Sequence, residues 1–173
     1  MLAAHVTLKH ELEEPDLNNI LEADRQAFQC KRDILDQDFR CRLRKCMFSD
    51  VLEWADEYSS PAHTLGVEPR PLLGALRQII DDVRSQIEHQ TYSPDEIAVR
   101  FHHQLIAVYP FLNGDKCWSR LAADILIVTL GGARFTWGRA DLQSANDARL
   151  RYIDALHAAD NHDFAPLMAF VRS

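Results

Sequence analysis

Apolar residues recur at three- and four-residue intervals along nearly the whole chain, which is the spacing of one face of an α-helix. Asp16–Gln29 sets Leu17, Ile20, Leu21, Asp24 and Phe28 at that interval. Asp36–Met47 follows, with Phe39, Leu43 and Cys46 or Met47 inward and Arg40, Arg42, Arg44 and Lys45 outward. Ser49–Trp54 reads as a short helix anchored by Val51, Leu52 and Trp54. Ser59–Pro71 breaks the pattern, because Pro61, Pro69, Pro71 and Gly66 do not allow one continuous helix. This stretch suits a short extended hairpin or an ordered loop, with Pro71 starting the next helix.

Leu72–Thr91 then carries Leu73, Leu76, Ile79, Ile80, Val83 and Ile87 on one side. Ser93 is a good N-cap, with Pro94 at the first helical position and Asp95 and Glu96 in the first turn. That helix runs through Ile97, Phe101, Leu105 and Val108 until Pro110 stops it. A turn at Asn113–Gly114 leads into a helix that begins near Asp115–Lys116. It presents Leu121, Ile125 and Val128 and ends at Gly131–Gly132. Phe135–Trp137 suits a short extended piece, and Ala145–Ala159 and Asp163–Val171 close the chain as helices. The pattern predicts an all-α fold, a helical bundle with one short β-hairpin, forming a single domain over residues 1–173.

Composition narrows the classes. With 47% hydrophobic residues in 173, the chain has enough apolar surface for a core. A formal charge of −7 argues against a general nucleic-acid or membrane-surface binder. The longest apolar stretch, Leu121–Leu130, is interrupted by Asp124 and falls short of the roughly 20 residues a membrane span needs. Residues 1–12 lack the apolar core of a signal peptide. Cys30, Cys41, Cys46 and Cys117 show no paired spacing and read as reduced thiols in a cytoplasmic protein. No Cys/His pair has metal-ligand spacing, so no metal site is expected.

One segment carries candidate chemistry. Between two helices stands Tyr109-Pro110-Phe111-Leu112-Asn113-Gly114-Asp115-Lys116-Cys117-Trp118-Ser119-Arg120. It resembles the Fic domain signature His-Pro-Phe-x-Asp/Glu-Gly-Asn-Gly-Arg-x-x-Arg, both in position and in its flanks, Phe101–Val108 and Leu121–Leu126. The resemblance extends to the mobile mystery protein B subgroup through Asn19–Ala23, Asp95–His103 and Arg134–Gly138. It covers nearly the whole chain and implies a Fic-type helical bundle. It also implies ATP and Mg²⁺ as cofactors, AMP transfer to a hydroxyl of a target protein, and a flap that aligns that target. Ser59–Val67 resembles the flap, with Thr64, Leu65, Gly66 and Val67 at its centre. A connecting loop without a partner fits the same stretch equally well. The nucleotide-binding positions implied are Asn113, Gly114, Asp115, Lys116, Cys117 and Arg120.

The loop departs from that scheme residue by residue. Tyr109 takes the place of the catalytic His, and a phenol titrating near about 10 is a poor base where an imidazole titrates near about 6.5. Loss of a positioned base costs about a hundred- to ten-thousandfold in rate. Asn113 replaces the acidic metal ligand. Asp115 replaces the motif Asn, where a carboxylate competes with phosphate for the helix N–H groups, or simply caps the helix. Lys116 replaces a glycine, and Cys117 replaces an arginine clamp that a thiol cannot imitate. Gly114 and Arg120 remain; Arg120 meets either an anion or a neighbouring carboxylate.

His102 and His103 lie too far up their helix to replace the base, since six residues span about 9 Å along the axis. One of them is expected to face the core. Cys117 is either an activated nucleophile at a helix N-terminus or an inert thiol, and Lys116 either a phosphate contact or a solvated side chain. No inhibitory Ser/Thr-x-x-x-Glu-Gly/Asn pattern is present; Thr7 and Glu11 have the spacing but Leu12 follows. These changes predict a protein silent or strongly impaired in AMP transfer, kept as a binding scaffold or decaying as a copy from a mobile element. The alternative is an atypical transferase that uses Cys117, Tyr109 or Lys116 in new roles.

Overall fold

A computed structural model describes residues 22, 24–28, 33–40, 69–108, 115–138 and 145–173, the side chains of 69–73, 115–117 and 145–146 excepted. The longer helices are α1 (Pro69–Glu88), α2 (Pro94–Val108), α3 (Asp115–Thr129), α4 (Ala145–Asp160) and α5 (Ala165–Arg172). Residues 24–28 and 37–40 are helical as well. Among the described residues there is no strand, and no helix is long and apolar enough to cross a membrane. The predicted hairpin, including Thr64, Leu65, Gly66 and Val67, lies outside the described residues, as does the predicted helix at Ser49–Trp54.

α2 is the centre of the packing, touching α1, α3 and α5, while α4 packs on α5. Its start follows from its sequence: Ser93 Oγ accepts the Glu96 N–H at 3.3 Å, as an N-cap should. Glu96 does not reach back to close a capping box; it holds Arg100 through bonds of 2.8 and 2.9 Å. The Arg100 guanidinium in turn sits about equally close to the Tyr92 and Phe164 rings, at 4.0 and 4.1 Å. Of the face predicted from spacing, α1 buries Leu76, Ile79, Ile80 and Val83, Ile87 is partly buried, and the side chain of Leu73 lies outside the described residues.

α1 begins at Pro69, two residues before the predicted start at Pro71. Both prolines fit inside the first turn, where the missing N–H would be unbonded anyway. Phe135–Trp137, expected as a short extended piece, is neither helix nor strand: Thr136 and Trp137 both donate to the Val171 carbonyl near the end of α5, at 2.8 and 3.2 Å. Arg40, expected outward, is buried and donates to the Ile34 carbonyl at 3.0 Å.

α3 differs most from its one-faced expectation. Every residue from Trp118 to Ile127 is buried, whereas the predicted core residue Val128 is 40% exposed. A helix buried on all sides is a core helix, and its polar residues need partners. Ser119, Arg120 and Asp124 are those residues.

Helix ends are closed by left-handed residues. Gln90 (φ 50°) lets Thr91 N–H reach Gln86 and Gln90 N–H reach Ile87, a Schellman closure of α1. His162 (φ 65°) does the same for α4, and Gly131 (φ 85°) for α3. Arg172 ties α5 back to the first turn of α2 through both Asp95 oxygens and bonds the Ala133 carbonyl at 2.8 Å.

Two glycines separate backbone strain from steric contact. At Gly131 an added Cβ would meet nothing within 4 Å, whereas at Gly138 (φ 75°) it would lie 2.7 Å from the Phe170 ring. Gly131→Ala is therefore expected to lower unfolding free energy by about 1 kcal/mol from the left-handed backbone alone. Gly138→Ala should cost about 3 kcal/mol, because overpacking adds to it. Urea unfolding of both variants measures the gap; equal costs would remove the Phe170 contact from the account.

Candidate functional site

The polar residues of buried α3 divide into two groups. Asp124 is fully buried and densely bonded. Its Oδ1 accepts the Trp137 indole N–H at 3.0 Å and the Phe135 backbone N–H at 3.3 Å. Its Oδ2 accepts Arg134 at 3.1 and 3.3 Å. Arg134 also holds Asp24 at 2.8 and 3.3 Å, and its guanidinium lies 4.1 Å from the Phe28 ring. Burial pushes the Asp124 carboxyl up to about 6, against the opposing pull of Arg134 and the indole and backbone donors. Burial works to lower the Arg134 guanidinium, but the Asp24 hydrogen bond and the charges of Asp124 and Asp24 together raise it above its ordinary value.

This network fixes Trp137. The residue has φ 56°, a conformation that a bulky side chain rarely adopts, and Gly138 beside it is also left-handed. Such backbone persists only when its surroundings over-determine it. Here the indole N–H is taken by Asp124, and the ring lies against His102 with centroids 4.7 Å apart.

Arg120 is the other case. It sits on the second turn of α3, 6% exposed, and its Nε, shut from solvent, has no hydrogen-bond partner among the described residues. Among the described residues no carboxylate pairs with it. Its guanidinium instead faces rings, 4.4 Å from Tyr152 of α4 and 5.4 Å from Trp137. Of the two readings open from sequence, the carboxylate pair is absent from the described residues. Cation–π contact replaces only part of what burial removes from a guanidinium.

His102 of α2 joins these rings. Its Nε2 shares a hydrogen bond of 2.9 Å with the Tyr152 hydroxyl. Burial chiefly, then the Arg120 charge, lowers its pKa to about 3, while the Ser119 backbone works in the opposite direction and His103 adds slightly to the fall. The ring is therefore neutral at ordinary pH. His103 is used differently, bonding Asp160 of α4 at 2.8 Å and meeting the Phe164 ring edge-on.

The remaining sequence candidates divide by what is described. Tyr109, Asn113 and Gly114 lie outside the described residues, as do the side chains of Asp115, Lys116 and Cys117; the backbone of those three forms the first turn of α3. Among the described residues no group of three His, Cys, Asp or Glu side chains is placed to hold a metal ion. Sequence reasoning passed over Asp124, Trp137 and Tyr152 as members of a site. Asp124 had a usable signal, a carboxylate inside an apolar helical run. Tyr152, among the charged residues of α4, had none.

Comparison with known proteins gives the fold a name. No family model matches the chain, and no curated protein matches it. Among solved structures it is similar to Fic-1 from C. elegans, with a TM-score of 0.67 and 18% identity over 98% of this chain and 52% of that one. It is similar to a Fic domain containing signaling protein from Bacteroides thetaiotaomicron, with a TM-score of 0.68 and 18% identity over 91% of this chain and 66% of that one. A variant of the same Fic-1 segment matches with a TM-score of 0.67, over 99% of this chain and 55% of that one. The chain has the fold of Fic domains and spans about half to two thirds of these structures.

The two buried titratable groups pull stability in opposite directions with pH. For His102 the folded pKa is depressed. Its contribution is intact above about 6.5 and is lost as pH falls toward about 3, because only the unfolded imidazole takes the proton. For Asp124 the folded pKa is raised. Its contribution is intact below about 3.8 and is lost as pH rises through about 6. Relative to His102→Gln, the wild type should lose about 2 kcal/mol between pH 6.5 and 5. Relative to Asp124→Asn, it should gain stability as pH falls from 6 toward 4. Urea unfolding across this range checks both signs, and parallel curves for all three proteins would refute them.

Proposed function

We propose that this chain is a Fic-fold protein that holds a phosphate-bearing ligand through Arg120 and is silent, or nearly so, in transferring any part of it. The observation that carries the reading is the buried Arg120 guanidinium, which faces aromatic rings and no described carboxylate. A cation so placed is satisfied by an anion brought from outside, and a guanidinium suits the planar, bidentate bonding of phosphate oxygens. Its place on the second turn of α3 adds the favourable end of the helix dipole. ATP with Mg²⁺ is the ligand that the resemblance in the Tyr109–Arg120 segment implies.

Transfer is a separate matter and rests on the loop sequence. Tyr109 stands at the place of the general base, and Asp115, Lys116 and Cys117 stand where the signature has Asn, Gly and Arg. A phenol holds its proton at neutral pH, a carboxylate repels the incoming phosphate, and a thiol cannot clamp it. Together these changes remove what would deprotonate a target hydroxyl and what would steady the transferred group. Their losses need not add. A target protein engaged through Thr64–Val67 belongs to the same reading, with the flap acting as a docking strand.

Thermal-shift titration with Mg²⁺–ATP tests binding. If millimolar ligand is a thousandfold above Kd, stability rises by about 4 kcal/mol. Arg120→Ala should weaken binding by about thirtyfold, the size of a hydrogen bond to a charged group. Labelled ATP incubated with the protein and lysate tests transfer. No label should reach protein, whereas the combined variant Tyr109→His, Asp115→Asn, Lys116→Gly, Cys117→Arg should label a target. Transfer by the unaltered chain that disappears in Cys117→Ala or Tyr109→Phe would establish the atypical transferase instead.

A further inference from the structure

An arginine side chain without a carboxylate partner has nothing of its own to hold its direction. It has several rotatable bonds, and the π faces around it attract it without supplying a directional bond. For Arg120 to present its guanidinium repeatedly in one place, the rings beside it must themselves be immobile. Trp137 is held by the Asp124 bond. Tyr152 is the nearer ring, at 4.4 Å, and its hydroxyl bonds His102 Nε2 at 2.9 Å, while Phe170 packs on the other part of its ring with centroids 5.4 Å apart. His102 also packs on Trp137 at 4.7 Å, so one imidazole touches both walls.

The chemistry of that central group is constrained. A lysine or arginine at position 102 would repel the neighbouring guanidinium, and a carboxylate would pair with it and fill the anion's place. An aliphatic side chain could pack but would leave the buried Tyr152 hydroxyl without this bond. A neutral imidazole packs as a ring, bonds a hydroxyl in either tautomer and adds no charge. His102 is fully buried, which keeps it neutral beside Arg120.

We infer that His102 is the positioning residue of the anion site, its bond to the Tyr152 hydroxyl fixing the ring against which the Arg120 guanidinium is held ready for phosphate. The inference rests on the reading that Arg120 binds phosphate, and it adds that this binding depends on a hydrogen bond one layer behind the cation. His102 touches no ligand and acts only through Tyr152 and Trp137.

Two measurements on the full chain test it. The first needs no ligand: the Arg120 Nε–Hε signal in ¹⁵N–¹H spectra, which ring currents displace while the guanidinium lies over Tyr152. The second is Mg²⁺–ATP affinity by calorimetry. Tyr152→Phe and His102→Phe each remove the hydrogen bond, from opposite ends, and keep a ring. Both should return the Arg120 signal toward the ordinary arginine position and weaken Mg²⁺–ATP about tenfold, the scale of one desolvated cation–π contact. His102→Gln can donate or accept at the Nε2 position, so it should retain both the signal and the affinity.

An unmoved signal with unchanged affinity in both phenylalanine variants overturns the inference, and so does a His102→Gln variant as impaired as His102→Phe. Failure of the underlying reading looks different. In that case wild type and Arg120→Ala both ignore Mg²⁺–ATP, while the signal still moves in Tyr152→Phe, which supports the positioning and removes the ligand.

Discussion

The buried carboxylate of Asp124 is the constraint on which the arrangement around α3 depends. A charged group in a fully enclosed helix is held only by donors arranged around it, and four donor groups from Arg134, Phe135 and Trp137 supply them. The shift of its pKa from 3.8 to about 6 corresponds to about 3 kcal/mol against the ionised form. Burial therefore outweighs those donors without cancelling them. The segment after α3 is bent to bring the donors in, which places Trp137 at φ 56° and drives its indole toward His102 and Arg120. Through Arg134 the same carboxylate reaches Asp24, drawing the helical residues 24–28 onto the bundle.

Arg120 lies one helical turn before Asp124 and is treated in the opposite way. Asp124 has its countercharge in Arg134, whereas Arg120 has two rings and, among the described residues, no carboxylate. The difference is not one of depth, since both are buried. It lies in what surrounds each group: a guanidinium and N–H donors around Asp124, and the Tyr152 and Trp137 rings around Arg120. His102 lies beside the cation as a neutral ring, bonded to the Tyr152 hydroxyl and packed on Trp137.

Much of the fold was legible in the sequence. Ser93-Pro94-Asp95-Glu96 states a helix start almost unaided, and Gly131–Gly132 a helix end, because caps and left-handed residues act locally. The buried face of α1 followed from spacing alone. What spacing could not show is that α3 has no solvent face, since a helix enclosed on every side is apolar all round and loses its period. Val128 was therefore misassigned to the core. Arg40 failed for a related reason: a long side chain can fold back to a carbonyl such as that of Ile34, and its charge alone does not say so. Of the site, Arg120 and His102 could be singled out from the motif and its flank. Tyr152, 32 residues beyond Arg120, joins them only through tertiary packing. The motif residues Tyr109, Asn113 and Gly114 were legible as chemistry and lie outside the described structure.

We propose that Arg120, which has no carboxylate partner among the described residues, receives phosphate. A crystal structure of the chain grown with Mg²⁺–ATP tests it directly. The expected result is a phosphate oxygen within hydrogen-bond distance of the Arg120 guanidinium, with the Tyr152 ring still behind it and His102 still bonded to the Tyr152 hydroxyl. A guanidinium turned onto a carboxylate of the chain itself, with the nucleotide absent or bound elsewhere, would contradict it.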